Sequence, residues 1–351
     1  MTGASYVISN YQRCVQPVFR PAMKRLPILS GSVSVALALC MVLSICSCGA
    51  PAVPIRSATA SPIVYLFSLL DDQAQDGPRT YLSASGTKLV PLTEPDGANI
   101  VSYIPGFRDP RLLHVRGGFY YSYTANGGSS PTIGLLYSPD LRNWKSLATP
   151  DWSKLAISPE NAVWNGAWWN QNGIYYMFFG ECNSSANPLV CTPYYVRFNP
   201  GSNSFGTPHA ISFTTKAPFN YTIVMSVFQS AGKNWAVLQT QDQTGNSVVA
   251  LASFHSLSLP WTSSWTMIGG QPPQKEAGTA VVLPDGRPRV YYVQTSGGDL
   301  YYTTANGPDP ATANWSVPKT IPPFQAGFEP ADWVDIVAIS DFATLRYMAA
   351  F

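Results

Sequence analysis

The sequence predicts an all-β protein built as a five-bladed β-propeller. Short aromatic and β-branched runs alternate with Gly, Pro, Asn and Asp, and no long segment has the periodicity of a helix. Four aromatic or apolar strands each follow a glycine turn, at Gly118, Gly173, Gly232 and Gly286, so the intervals are 55, 59 and 54 residues. Such a period fits four strands with their loops, which make one propeller blade.

The two ends of the chain supply the fifth predicted blade. Residues 62–92 contain strand-like runs without an inner partner, and residues 331–349 contain further strand-like runs. Pairing of these segments closes the ring and removes exposed sheet edges. We therefore expect one domain over residues 62–351, closed by pairing of the N- and C-terminal strands, with a β-sandwich as the alternative fold.

A leader and a tether precede the predicted domain. Residues 1–48 contain a short basic start followed by an apolar stretch, which is the layout of a secretory signal, and Met23 is an alternative true start. The segment resembles a bacterial lipoprotein signal with lipidation at Cys46 or Cys48, and an N-terminal membrane anchor is the alternative. Residues 49–61 are rich in Ala, Pro and Ser and are predicted to form a flexible tether. We expect a secreted or cell-envelope protein.

The composition of the chain limits which classes of partner and cofactor we expect. The formal net charge is +2 and no basic cluster occurs in the body of the chain, so nothing points to nucleic acid. After the leader only Cys182 and Cys191 remain, and an oxidising compartment would favour a disulfide between them. His114, His209 and His255 lack the spacing of metal ligands, so we expect no metal site and no cofactor.

Three acids precede the repeat glycines at similar distances. Asp109, Glu160 and Glu276 lie nine, thirteen and ten residues before their glycines. The innermost strand of a propeller blade lines the axial channel, so residues that begin these strands should meet near its mouth. Glycosidic cleavage needs one protonated and one ionised carboxyl group. The alternatives are a turn cap for Asp109 before Pro110, a surface position for Glu276 beside Lys275 and a structural role for Glu160.

Four motifs give the chain a family resemblance. They are Arg108-Asp109-Pro110 before an aromatic strand, Tyr137-Ser138-Pro139-Asp140-Leu141-Arg142-Asn143-Trp144, Ser158-Pro159-Glu160 and Glu276-Ala277-Gly278. In this order they resemble the motifs of glycoside hydrolase family 43, a group of five-bladed propellers, over roughly residues 62–340.

The resemblance implies a reaction and its residues. Asp109 would be the general base and Glu276 the general acid of an inverting glycosidase, with carboxyl groups about 6.5–9.5 Å apart. The substrate would be an oligo- or polysaccharide with α-L-arabinofuranosyl or β-xylosyl linkages. The resemblance also leaves room for a structural calcium ion.

One position departs from the family pattern. The family usually has a third Asp on the third blade, and Val224 occupies the expected slot here. Glu160 is the candidate auxiliary acid, from the second blade. The departure keeps a second function open, a propeller that binds glycans with impaired catalysis. A third is a glycoside phosphorylase, which would require a basic cluster for phosphate.

Three further residues are candidates for substrate contact. Arg108 could anchor a sugar hydroxyl or pair with Asp109. Trp164 and Trp168 could form a stacking platform for sugar rings, and hydrophobic core is the alternative. We expect a monomer that contacts a membrane only through an N-terminal lipid or anchor.

Overall fold

The computed structural model describes residues 63–70, 78–92, 107–125, 132–147, 161–183, 185–186, 190–214, 221–241, 246–268, 275–294, 299–321, 333–340 and 344. The chain divides into two units, residues 1–58 and residues 59–351, and every described residue belongs to the second. The predicted leader at 1–48 and tether at 49–61 lie outside the described residues. Within the described part of the chain, no helix is long and apolar enough to span a membrane.

The described strands form five sheets, and each sheet is one blade. The first three strands belong to blade 5 and are β1 (Val64–Leu70), β2 (Arg79–Ser83) and β3 (Val90–Leu92). Blade 1 contains β4 (Arg108–Val115), β5 (Gly118–Thr124), β6 (Ile133–Ser138) and β7 (Lys145–Ser146). Blade 2 contains β8 (Ala162–Gln171), β9 (Ile174–Asn183), β10 (Val190–Asn199), β11 (Ser204–Phe205) and β12 (His209–Ala210).

The remaining strands complete blades 3, 4 and 5. Blade 3 contains β13 (Thr222–Ser230), β14 (Lys233–Gln241), β15 (Ser247–Phe254) and β16 (Thr262–Met267). Blade 4 contains β17 (Lys275–Val282), β18 (Pro288–Gln294), β19 (Leu300–Thr304) and β20 (Lys319–Thr320). The last strand, β21 (Trp333–Ile339), pairs with β1 and completes blade 5. The five sheets confirm the predicted five-bladed propeller.

The two ends of the chain close the ring as the sequence predicted. β21 runs antiparallel to β1 along its whole length, from the pair Leu70–Trp333 to the pair Val64–Ile339, without a shift in register. Both strands are rich in β-branched and aromatic residues, which suit a sheet buried on both faces. Closure inside one blade leaves no unpaired edge at the join.

The innermost strands of the five blades form a closed ring around the axis. β4 contacts β8, β8 contacts β13, β13 contacts β17, β17 contacts β21, and β21 contacts β4. In blades 1 to 4 the innermost strand carries a β-bulge, between Arg108 and Arg111, Asn165 and Trp168, Val224 and Ser226, and Glu276 and Thr279, respectively. The innermost strand of blade 5, β21, has no bulge against β1.

Aromatic packing between the blades holds the ring together. Trp261 is fully buried in blade 3 and stacks on Phe254, with ring centroids 4.2 Å apart. Trp169 of blade 2 meets Phe254 edge-on at 5.5 Å, so the two blades share one apolar cluster. The predicted disulfide is present in blade 2, where Cys182 and Cys191 are facing partners on β9 and β10.

Candidate active site

The ends of the innermost strands define the two ends of an axial channel. A cavity of about 410 Å³ is lined by Leu112–His114, Ala167–Asn170, Met225–Gln229, Ala280–Val282 and Asp335–Ala338. All of these ranges belong to the later parts of the five innermost strands, so the strands run in the same direction. Their first residues therefore lie together at the other end of the channel, which we call the strand-start mouth. Asp109 and the backbone of Glu276 both belong to that end.

Asp109 lies in the bulge of β4 and has an unusual backbone conformation. Its φ is +51°, a left-handed value that Asp tolerates better than most residues. The Asp109 side chain is half-buried, and its Oδ2 accepts a 2.6 Å hydrogen bond from the hydroxyl of Thr124. Bulges of this kind re-aim a side chain and are common beside active sites. The alternative of a turn cap for Asp109 is thus replaced by a bulge within β4.

Blade 2 supports this bulge from the neighbouring side. Thr124 accepts a 2.8 Å hydrogen bond from the backbone N–H of Asn165 while donating to Asp109. The side-chain amide of Asn165 also donates to the backbone carbonyl of Asp109 at 2.7 Å. Asn165 is fully buried, so both bonds are shielded from water. Asp109 is therefore held from two blades, its carboxylate by Thr124 of blade 1 and its backbone carbonyl by Asn165 of blade 2.

The structure describes the other two predicted acids, Glu276 and Glu160, only in part. Glu276 pairs with Val293 near the start of β17, and its side chain lies outside the described residues. Glu160 lies wholly outside them. Arg108 is exposed and precedes Asp109 in the same bulge, so it stands at the strand-start mouth. Its contact with substrate stays a prediction.

The bulge of β17 depends on a glycine. A Cβ atom on Gly278 would lie 2.7 Å from Cγ1 of Val237 in blade 3, closer than real Cβ contacts come. Glycine is thus required by the packing of blade 4 against blade 3.

Two neighbouring residues of blade 3, Val224 and Met225, point in different directions near the position where the third acid is expected. Val224 is fully buried and packs with Ala167 and Phe178 between blades 2 and 3, so it does not face the axis. The bulge moves the next residue, Met225, into the channel, where its sulfur lies 3.7 Å from Nη2 of Arg111. The assignment of the third-acid position to Val224 stays a prediction, and the side chain that this bulge brings to Arg111 is the thioether of Met225.

A buried ion pair that sequence reasoning missed joins two neighbouring innermost strands, β4 and β21. Arg111 of β4 is fully buried, and its Nη1 lies 3.2 Å from Oδ1 of Asp335 on β21. Oδ2 of Asp335 accepts a 2.7 Å hydrogen bond from the backbone N–H of Leu112, and Oδ1 lies 3.4 Å from the hydroxyl of Thr279. With Met225 on the far side of Arg111, side chains from blades 1, 3, 4 and 5 meet at one level of the axis.

The surroundings of Arg111 favour a charged guanidinium despite its burial. Burial lowers the pKa of Arg111, and the charge and hydrogen bond of Asp335 act in the opposite direction. Nη1 also donates to the carbonyl of Val334 at 3.2 Å, and the guanidinium lies 4.5 Å from the ring centroid of Trp333. An arginine pKa lies so far above neutrality that the group stays charged. The guanidinium of Arg111 is therefore a buried cation beside the carboxyl group of Asp335.

One sequence signal could have revealed the pair. Asp335 is a single acid inside the apolar run Trp333-Val334-Asp335-Ile336-Val337, which reads as a fully buried strand. A buried carboxylate requires a cation or several donors. Its partner Arg111 lies 224 residues earlier, so the sequence alone does not identify it.

The two tryptophans proposed for substrate contact lie at opposite ends of β8. Trp164 belongs to the strand-start end, is half-buried and meets Tyr221 edge-on at 5.9 Å. Trp168 lines the cavity at the other end and packs on Phe198 at 5.2 Å and on Phe205 at 6.4 Å. The structure therefore groups Trp164, but not Trp168, with Asp109. For Trp168 the alternative of aromatic core packing describes what is seen.

Metal-binding side chains do not converge in the described residues. No three His, Cys, Asp or Glu side chains there are close enough to hold an ion. His114 instead lies 3.1 Å from the hydroxyl of Thr344. The expectation of no cofactor stays a prediction.

Comparisons with known proteins add an independent line of evidence. The family model described as Glycosyl hydrolases family 43 matches residues 103–319. A solved protein of unknown function from Dyadobacter fermentans is 17% identical with a TM-score of 0.50, covering 74% of this chain and 81% of that one. No curated protein matches the chain.

Two solved glycosidases are similar at lower scores. An endo-arabinase from Bacteroides thetaiotaomicron is 15% identical with a TM-score of 0.49, covering 76% of this chain and 92% of that one. An α-L-arabinofuranosidase from Lactobacillus brevis is 16% identical with a TM-score of 0.45, covering 61% of this chain and 73% of that one. At such identities, structural similarity speaks only to the fold.

Proposed function

The chain belongs to glycosyl hydrolases family 43 and is a glycoside hydrolase, and we propose that it cleaves α-L-arabinofuranosyl or β-xylosyl linkages with inversion. The family implies a carbohydrate substrate. The choice of these two linkages rests on the motifs around Asp109 and Glu276, which resemble those of the arabinofuranosidase and xylosidase group.

In this proposal the two carboxyl groups divide the proton transfers. The Asp109 carboxylate accepts a proton from a water molecule as that water attacks the anomeric carbon from one face of the sugar. Glu276, protonated at the start, donates its proton to the departing glycosidic oxygen on the other face. One proton enters and one leaves, so the pair must be reset by exchange with solvent before the next cycle.

One observation carries the assignment of Asp109. It lies in a left-handed bulge at the strand-start mouth, with its carboxylate fixed by Thr124 and its carbonyl by Asn165. A left-handed non-glycine residue costs on the order of 1 kcal/mol or more and persists where the surroundings enforce it. A general base needs such fixed placement, because proton transfer depends on hydrogen-bond distance to the water.

Export and lipid anchoring are part of the proposal. The Cys182–Cys191 disulfide supports export, because disulfides persist in oxidising compartments and are rare in reducing ones. We place the leader at 1–48, the lipid on Cys46 or Cys48, and the tether at 49–61. Mass spectrometry of the mature N-terminus would test this: an intact, unmodified leader would contradict it.

The decisive experiment compares two acid-to-amide variants of the full chain. With aryl α-L-arabinofuranoside and aryl β-xyloside as substrates, Asp109→Asn should lower kcat about 10²–10⁴-fold, the usual worth of a general base. Asp299→Asn, which alters an exposed acid before β19, should match wild type. Proton NMR of the first product should show the inverted anomer. Equal turnover by Asp109→Asn and wild type would refute the assignment.

Val224 keeps a second candidate function open. With an apolar side chain in the position where the family usually has its third acid, the chain would bind glycans without turning them over. This function predicts that wild type binds arabino- or xylo-oligosaccharides by calorimetry and shows no turnover in the same buffer.

Arg111 does not support the third candidate function, that of a glycoside phosphorylase. A phosphorylase needs cations that can reach inorganic phosphate, and Arg111 is fully buried and paired with Asp335. Phosphate-dependent release of a sugar phosphate would be needed to restore this function.

A further inference from the structure

The carboxylate of Asp335 connects three blades at one point of the axis. It belongs to β21 of blade 5 and is 7% exposed. Oδ1 contacts Nη1 of Arg111 and accepts a hydrogen bond from the hydroxyl of Thr279. Oδ2 accepts a hydrogen bond from the backbone N–H of Leu112. Its donors therefore come from β4 of blade 1 and β17 of blade 4, which are the strands of the two proposed catalytic carboxyl groups.

The two side-chain donors hold equivalent places in their strands. The bulge of β4 runs from Arg108 to Arg111 and contains Asp109. The bulge of β17 runs from Glu276 to Thr279. Arg111 and Thr279 are thus the first residues to rejoin their ladders after the segments that present the acids. One oxygen atom, Oδ1 of Asp335, contacts both of them.

We propose that Asp335 is a positioning residue that fixes the separation between Asp109 and Glu276 by tying the two bulged strands to the closing blade. The inference rests on the proposed function, since it concerns the two carboxyl groups assigned there. In this proposal Asp335 acts through Arg111 and Thr279.

The physical reason is that the reaction tolerates little misplacement of its two carboxyl groups. An inverting enzyme must leave room for one water between its carboxyl groups, and an error of about 1 Å in placement can cost about 100-fold in rate. Thr124 and Asn165 hold Asp109 within its own bulge. Glu276 pairs with Val293 within blade 4, but no ladder bond of the described strands sets the distance between blades 1 and 4. An anchor on a third strand with regular pairing supplies the missing constraint.

Arg111 makes the anchor stiff. Its guanidinium is held by Asp335, by the carbonyl of Val334, by the ring of Trp333 and by the sulfur of Met225. Asp335 of blade 5 is the carboxylate that both pairs with and hydrogen-bonds to Arg111.

Variants at Thr279 test the idea with little risk to folding. Thr279→Val removes the hydroxyl and keeps the shape, so kcat should fall about 10- to 100-fold with KM changed less than about twofold. Thr279→Ser keeps the hydroxyl and should restore kcat to within about threefold of wild type. Thr303→Val is the matched control, because Thr303 is also buried in blade 4 and donates to the carbonyl of Ser316 far from the channel. It should keep the kcat of wild type.

The outcomes separate this inference from the proposed function. If Asp109→Asn is inactive and Thr279→Val turns over like wild type, the function stands and the positioning role is overturned. If Asp109→Asn is as active as wild type, the proposed assignment itself fails.

A second measurement does not depend on activity. Crystal structures of wild type and Asp335→Asn should show different distances between the carboxyl carbons of Asp109 and Glu276, because Asn lacks the charge that holds Arg111. Equal distances within coordinate error would overturn the inference, whatever the turnover. Should Asp335→Asn fail to fold, the same comparison is made with Thr279→Val.

Discussion

The innermost strands of blades 1 to 4 differ from the innermost strand of blade 5. The first four come from continuous stretches of chain, and each carries a bulge. The fifth, β21, pairs with β1 across the join between the chain ends and keeps its register throughout. The bulged strands can turn side chains toward the mouth, and the regular strand holds a fixed position. The difference suggests that presentation and anchoring of the site are assigned to different blades.

The bulged strands also show what this presentation requires. Gly166 lies in the bulge of β8, where the backbone of Val224 approaches from blade 3. Gly278 lies in the bulge of β17 against Val237. The regular strand β21 has no glycine and uses bulky residues on both faces. At these two glycines the close approach of a neighbouring blade thus depends on the absence of a side chain. The closing blade depends instead on the charge of Asp335.

The largest expected effect comes from breaking the ion pair of the closing blade. Arg111→Met leaves the carboxylate of Asp335 buried without its cation, which should lower the free energy of unfolding by about 3–5 kcal/mol. Equilibrium unfolding in guanidinium chloride at neutral pH measures this. The loss should exceed that of any single change at a bulge.

The double variant Arg111→Met with Asp335→Leu is the control for this prediction. It replaces both charges by apolar groups, so it should be more stable than Arg111→Met by about 2 kcal/mol or more. A double variant much less stable than wild type would mean that the pair is itself a net source of stability. In that case the closing blade would be held mainly by its charge.

A smaller effect is expected at the bulge of blade 2. A Cβ on Gly166 would lie 2.6 Å from the carbonyl oxygen of Val224 and 2.7 Å from that of Phe178, and backbone atoms cannot rotate away. Gly166→Ala should therefore cost about 1–3 kcal/mol through overpacking. Gly307→Ala is the matched control, because no atom lies within 4 Å of its Cβ position. Equal stability of the two variants by thermal unfolding would show that the bulged blades can separate at little cost.

Much of this architecture could be predicted from the sequence, because a repeat is a local pattern. The glycine turns recur at nearly constant intervals, and the strands left at the two ends have no other partner, so five blades follow. The disulfide follows from two remaining cysteines. The family follows from the order of its motifs.

The channel interior could not be predicted in the same way. A β-bulge changes which residues of a strand point to each side, and the sequence does not show where a bulge lies. The sequence pattern assigned the position of the third acid to Val224, whereas the structure turns Met225 toward the axis. The Arg111–Asp335 contact joins residues 224 positions apart through ring closure. Such contacts depend on how blades meet, and no spacing rule reports that.

The smallest expected effect concerns an acid far from both kinds of innermost strand. Asp140 lies in the turn after β6 and accepts hydrogen bonds from the Ser138 hydroxyl, the backbone N–H of Arg142 and two nitrogens of Asn143, at 2.6–3.0 Å. Partial burial raises its pKa, and these hydrogen bonds outweigh that effect and hold the pKa below its usual value of 3.8. These partners lie within three residues of Asp140, so the hydrogen bonds they make belong to blade 1.

The sign of the pH dependence follows from the lowered pKa of Asp140. A carboxyl group whose pKa is lower in the folded state stabilises the fold above its unfolded pKa, and this stabilisation is lost as the pH falls through the folded pKa. Asp140→Asn should therefore be less stable than wild type by about 1 kcal/mol or less at pH 7, with a difference that shrinks below about pH 4. Unfolding measured from pH 3 to pH 7 checks this, and a difference that stays constant would contradict it. Wild-type turnover at pH 7 by Asp140→Asn would show that a carboxylate in an outer turn, unlike Asp335, does not reach the catalytic strands.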